Sequence, residues 1–189
     1  MKTKVFAMGI ALMLLSVVGF AQWKLGVGIS GSMPGSYFSD KAIDLGYGFY
    51  IQPKCEVVKN FELGFDAGVT FLNTDKNSDA DENDTQYRVI SGVIRGIYTM
   101  NDLFEGEITP YAGVGIGSYY FHRKTDGGNE FNYLDGGVSP QIGAKYKMFD
   151  VSATYTFLSP KENPKDKITP DYASTLFTVN LGVNLNLSK

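Results

Sequence analysis

Residues 61 to 71 alternate without a break. Phe61, Leu63, Phe65, Ala67, Val69 and Phe71 fall on one side of an extended chain, and Glu62, Gly64, Asp66, Gly68 and Thr70 on the other. A helix would scatter these residues around its circumference, whereas a strand puts every second side chain on one face. The pattern returns near the C-terminus, where Phe177, Val179, Leu181, Val183, Leu185 and Leu187 stand opposite Thr178, Asn180, Gly182, Asn184 and Asn186. Eight segments of this kind are predicted as strands, at 23–32, 45–57, 61–72, 87–98, 110–121, 137–148, 151–158 and 174–187. The fourth alternates least well, around Val89 to Val93, and the seventh is the shortest. Long helical periods are absent. The expected fold class is all-β, an eight-stranded antiparallel up-and-down barrel.

The chain opens with Lys2 and Lys4, an apolar run from Val5 to Val18, and Gly19-Phe20-Ala21. Positive residues, a short apolar run and small residues before a junction are the parts of a cleavable export signal. The run is short for a spanning helix and contains Gly9 and Ser16. We therefore expect residues 1–21 to be a signal peptide and 22–189 to be the barrel domain. Without Lys2 and Lys4, 15 of the 17 Lys and Arg remain against 20 Asp and Glu, a balance that argues against a nucleic-acid partner. Cys55 is the single cysteine, so no internal disulfide can hold the fold.

Alternation by itself does not say which face of a barrel points inward. A soluble barrel would keep its apolar face inside and its polar face in water. Here the polar face carries Gly26, Gly28, Gly46, Gly48, Gly64, Gly68, Gly113, Gly115 and Gly117. Glycine weakens a strand and has little reason to sit on an open face, but it suits a crowded interior. Aromatic residues stand near strand ends (Trp23, Phe61, Phe71, Tyr98, Tyr120, Tyr146, Phe157, Phe177), as interfacial girdles do. The connections 33–44, 73–86, 122–136 and 159–173 are long and polar, 58–60 and 149–150 are very short, and 99–109 is intermediate. These features predict an apolar face turned to lipid, with short turns on one side and long loops on the other. Lipid cannot hydrogen-bond an open sheet edge, so such strands must close on one another.

With these segments placed, the chain resembles the small eight-stranded outer-membrane barrels of Gram-negative bacteria, of the OmpA/OmpX-like kind. The resemblance rests on Thr109-Pro110-Tyr111-Ala112-Gly113-Val114-Gly115-Ile116-Gly117, on the opening strand Trp23 to Ser30, and on the alternating last strand. It departs at Leu187-Ser188-Lys189, where many such barrels end on an aromatic residue. The resemblance implies an outer-membrane location, short turns toward the periplasm and loops toward the outside. It does not carry over a peptidoglycan-binding role, since no periplasmic domain follows the last strand.

Three motifs suggest chemistry and are better read as structure. Gly26-Val27-Gly28-Ile29-Ser30-Gly31 matches the dinucleotide fingerprint in letters, but that motif needs a helix at its end, and Met33-Pro34-Gly35 follows. The loop with Asp75, Asp79, Asp81, Glu82, Asn83 and Asp84 has calcium-like spacing, yet an EF-hand would want glycine at Asp84 and glutamate at Ile90. His122 stands four residues after Ser118 on one face, with no acidic orienting residue evident beside the pair. No catalytic, cofactor or metal residue is expected, and the chain is not expected to be an enzyme.

The informative polar set is the one that parity turns into the lumen: Lys54, Glu56, Glu62, Asp66, Arg95, Lys145 and Lys147. An interior of eight strands is wide enough only for side chains, so charges of both signs there should pair into an ion network. An arginine turned to lipid would cost ~2–4 kcal/mol at the midplane, which makes Arg95 the test of its strand's facing. The expected role is structural or surface-interactive. The partners would be outer-membrane lipid and an extracellular ligand or protein held by loops 33–44, 73–86, 122–136 and 159–173, with the barrel a monomer. The alternative is a narrow channel, and a lipid-modifying enzyme using His122 is a third reading.

Overall fold

A computed structural model describes residues 22–35, 45–73, 85–101, 106–125, 130–159 and 175–187. The expected signal peptide, the calcium-like residues 75–84 and most of the expected loops 33–44, 73–86 and 159–173 lie outside the described residues. The strands are β1 (Trp23–Pro34), β2 (Gly46–Val58), β3 (Phe61–Asn73), β4 (Thr85–Thr99), β5 (Ile108–Thr125), β6 (Glu130–Tyr146), β7 (Phe149–Ser159) and β8 (Thr175–Asn186). Each pairs antiparallel with its sequence neighbour, and β1 pairs with β8 from Lys24↔Asn186 to Pro34↔Leu176, so the sheet closes into a barrel with no free edge around its waist.

Two tight turns show how the chain reverses. Lys59-Asn60 joins β2 to β3 and Lys147-Met148 joins β6 to β7. Asn60 (φ 68°) and Lys147 (φ 53°) both take the left-handed conformation that such turns demand. The second turn corrects the sequence reading by two residues, since 147–148 and not 149–150 form it. A bulge between Glu56 and Val58 adjusts the register before the first turn.

The apolar faces point outward. Among the described residues, 30 large apolar side chains are exposed, including Ile51, Phe65, Ile94, Ile116, Ile142 and Leu181 near mid-strand. A soluble protein does not leave a contiguous apolar surface of this extent in water. The eight aromatic residues expected at strand ends all have outward parity. Trp23, Phe61, Tyr98 and Tyr146 lie toward the turn end, and Phe71, Tyr120, Phe157 and Phe177 toward the loop end. Phe61 and Phe71 are ten residues apart, about 33 Å along the strand and about 25 Å along the normal at a tilt near 40°, the height of a lipid-facing band.

The nine glycines of the polar face point inward, where large polar side chains occupy the space they leave. A Cβ on Gly115 would stand 2.7 Å from Ser139 Oγ and 3.2 Å from Arg95 Cζ, and one on Gly28 would stand 2.7 Å from the Tyr50 hydroxyl.

The strands depart from expectation above the loop end of the barrel. β5 runs to Thr125 and β6 starts at Glu130, so most of the expected loop 122–136 is strand. Here the faces exchange character. Phe121 and Tyr133 turn inward and stack at 4.7 Å, while His122 and Asn132 turn outward. Outside lipid a sheet has no reason to keep its apolar side out, and that inversion hid these strands from a search for lipid-facing alternation. Because Gly136 pairs with Ser159 at the end of β7, residues 130–135 of β6 rise beyond that strand.

Candidate functional site: the lumen

The lumen is graded along the barrel axis. At the turn end, three lysines converge on one carboxylate. Glu62, 3% exposed, accepts a bond at Oε1 from Lys24 Nζ and at Oε2 from Lys145 Nζ, both at 2.7 Å. Lys54, 1% exposed, places Nζ 3.9 Å from the same Oε2. Glu56 is more open, with Oε2 3.8 Å from Lys24 Nζ and Oε1 accepting from the Asn60 backbone N–H.

The next layer is held by Arg95. Its Nε donates to Asp66 Oδ2 at 2.5 Å, Nη1 to the Ser139 carbonyl at 2.9 Å and Nη2 to Ser139 Oγ at 3.3 Å. Gln52 links the two layers. It donates through Nε2 to Asp66 Oδ1 at 2.6 Å and accepts at Oε1 from Lys54 Nζ at 3.0 Å. One chain of polar contacts thus runs from Lys145 on β6 through β3 and β2 to Arg95 on β4 and back to Ser139 on β6. Each residue lies there because its strand's inward parity puts it there, and none of the four cations is left without an acceptor.

A second set occupies the other wall. Asp150 accepts from the Tyr111 hydroxyl at 2.7 Å and from Asn184 Nδ2 at 3.2 Å. Gln141 Nε2 and Asn180 Nδ2 both donate to Ser152 Oγ, at 2.8 and 3.2 Å. The ammonium of Lys145 lies 5.2 Å from the Tyr111 ring centroid, bringing the sets together. A cavity of about 90 Å³ remains between them, with Tyr50, Gln52, Asp66, Arg95, Tyr111 and Asp150 in its wall. A wider vestibule of about 390 Å³ opens at the turn end beside Lys24, Glu62 and Lys145.

Toward the loop end one side of the lumen becomes apolar, while Ser32, Thr156 and Asp135 keep buried polar groups there. Leu72, Val89, Val93, Tyr119, Phe121 and Leu158 form one buried cluster, with Tyr133 packed against it. This explains the poor alternation of β4. Val89, Val93 and Ile97 face the lumen while Ile90 and Ile94 face outward, so both faces are apolar. Arg95 lies inward among them, 4% exposed.

Of the seven residues expected in the lumen, Lys54, Glu62, Asp66, Arg95 and Lys145 meet in these layers and Glu56 stands at their rim. Lys147 does not join them. The turn at 147–148 interrupts the parity of β6, and the side chain, 62% exposed, lies 3.5 Å from Glu107. Lys24 was missed although it shares the parity of Gly26 and Gly28. Asp150 was missed because it was assigned to a turn. The neutral partners Gln52, Tyr111 and Ser139 carry no charge to single them out.

The remaining motifs resolve as geometry. The glycines of 26–31 lie within β1, which continues as strand to Pro34 where the motif would need a helix to open. Ser118 and His122 are four residues apart along one strand, about 13 Å, and the His122 ring bonds instead to Asn132. No group of three or more His, Cys, Asp or Glu able to hold a metal occurs among the described residues.

Comparisons with known proteins agree with this architecture. A search of curated proteins gives no match. Among solved structures, the barrel is similar to Neisserial surface protein A, with a TM-score of 0.60 at 14% identity over 87% of this chain and 97% of that one. It is similar to a major outer membrane protein of Thermus thermophilus, with a TM-score of 0.53 at 13% identity over 86% and 98%. It also resembles Ail, the attachment invasion locus protein of Yersinia pestis, solved with the heparin analogue sucrose octasulfate, with a TM-score of 0.51 at 12% identity over 87% and 99%. At such identities these likenesses speak for the fold. The family described as outer membrane protein beta-barrel domain matches residues 7–185. The apolar band is accordingly the part that meets lipid, and the chain belongs to the outer membrane protein beta-barrel domain family.

Proposed function

We propose that this barrel is a closed scaffold of the cell envelope, with a lumen that does not conduct and loops that carry recognition at the outer surface. The observation that carries the reading is the filled lumen. An ion crossing it would have to part the Glu62 lysines, then Asp66 from Arg95, and then pass the apolar cluster around Val93 and Tyr119. Separating a buried pair leaves uncompensated charge at low dielectric, and an apolar constriction repels hydrated ions. The lumen residues act as filling, with Lys54, Glu62, Asp66, Arg95 and Lys145 as its ionic part. Surface interaction is supported by the length of the loops at 33–44, 73–86 and 159–173 and by the oligosaccharide analogue held by the structurally similar Ail. Among the described residues, the lumen sets no nucleophile with a base and an orienting group around a reactable space.

The competing reading is a narrow channel, and the cavity of about 90 Å³ beside Asp66 and Arg95 favours it. Single-channel recording from planar bilayers separates the two. The scaffold reading expects no unitary conductance from the wild type or from Arg95→Ala, because the apolar cluster stays in place. Steps in the wild type, or steps that appear on removing Arg95 alone, would support the channel.

A further inference from the structure

The outer end of the lipid-facing wall carries polar side chains that the barrel does not need for its own closure. Register sets Phe71, Arg88, His122 and Asn132 side by side across β3, β4, β5 and β6, all at outward positions. The Arg88 guanidinium lies over the Phe71 ring, 5.4 Å from its centroid, and no carboxylate of the described residues pairs with it. His122 Nδ1 donates to Asn132 Oδ1 at 2.6 Å, which fixes the amide with its Nδ2 donor free for another partner. A guanidinium stacked on an aromatic ring keeps its N–H edge open, and that edge matches the oxygens of a phosphate.

The depth of this row is set by counting. Tyr98 marks the turn-side girdle on β4, and Arg88 is ten residues beyond it, about 25 Å along the normal at ordinary rise and tilt. That distance spans the apolar band, so Arg88 stands at the outer boundary between lipid and water. Two residues inward on each strand lie Ile90, Tyr120 and Leu134, themselves in register and exposed. A row of donors above a row of apolar side chains matches a molecule with an anionic head and acyl chains. A free anion would use the first row only.

We propose that Arg88 and Asn132, the latter held in place by His122, form a docking site for the phosphate group of a lipid in the outer leaflet, with Ile90, Tyr120 and Leu134 beneath its chains. Native mass spectrometry of the full barrel released from detergent tests this, with phosphorylated lipid A, its dephosphorylated form and inorganic phosphate as probes. The wild type should retain one phosphorylated lipid. Arg88→Gln should lower that occupancy about tenfold, and Arg88→Lys should lower it less, since it keeps the charge but loses the paired N–H edge. His122→Gln gives a second reading of the site should Arg88→Gln fail to fold, with the heat-shifted gel band as the check on folding. Equal retention of the dephosphorylated lipid, or unchanged occupancy in folded Arg88→Gln and His122→Gln, would overturn the proposal. Displacement of the lipid by an equal concentration of inorganic phosphate would reduce the site to one for free anions and would overturn it as well. The scaffold reading is tested separately, because conductance does not depend on this outer face.

Discussion

Three lysines, Lys24, Lys54 and Lys145, bring their ammonium groups within 4 Å of the buried Glu62 carboxylate. Taking the charge from such a centre while leaving its partners buried is among the most damaging single changes available to a protein. Glu62→Gln should therefore destabilise the folded barrel by about 3–5 kcal/mol, read as a lower urea midpoint for loss of the compact gel band. Replacing both members of a buried pair is different in kind, because no charge is stranded. Asp66→Leu combined with Arg95→Met should fold, and should be more stable than either single variant. The outer face gives the complementary case. Ile94→Arg, near mid-strand and exposed to lipid, should cost ~2–4 kcal/mol, whereas Tyr98→Arg at the turn-side girdle should cost ~0–1. If the two substitutions proved equal in the same gel titration, the depth assigned to the lipid band would be wrong.

Most strands were legible because lipid and lumen impose opposite chemistry on alternate residues, as in Phe61 to Phe71. Legibility failed where that contrast failed. β4 alternates poorly because Val89 and Val93 fill the loop end of the lumen and Ile97 faces it near the turn end, so its two faces share one polarity. The tops of β5 and β6 read as loop because they stand above the bilayer, where Phe121 and Tyr133 have reason to turn inward. The site followed the same rule. Counting places Lys54, Glu62, Asp66, Arg95 and Lys145 inward. It passes over Lys24, which shares that parity, and Asp150, which the expected turn 149–150 takes out of the count, and it wrongly includes Lys147, where a two-residue turn upsets it. Gln52, which connects the Glu62 and Arg95 layers, offered no signal beyond its parity. The projecting part of β6 also predicts its dynamics. Residues 130–135 pair with β5 on one side, and on the other the β6–β7 ladder of the described residues begins only at Gly136. Their amides directed away from β5 should exchange with deuterium far faster than those of 137–146. Equal protection in the two stretches would mean that something else covers this edge.

The barrel as a whole closes where its chain begins and ends. Leu187 donates its backbone N–H to the Trp23 carbonyl at 2.9 Å, and Leu25 pairs with Leu185. The molecule is thus a ring in all but one bond, and the site of the break is incidental to the finished wall. A permuted gene that joins the region of Leu187 to Trp23 and opens instead between Lys147 and Met148 would list the strands in a new order while leaving every pairing intact. Such a protein should reach the membrane and show the same heat-shifted band, while deletion of β8 should not, because β1 and β7 would then each present an unpaired edge to lipid. Closure is a property of the cycle of neighbours, and serial order is only the route by which this chain arrives at it.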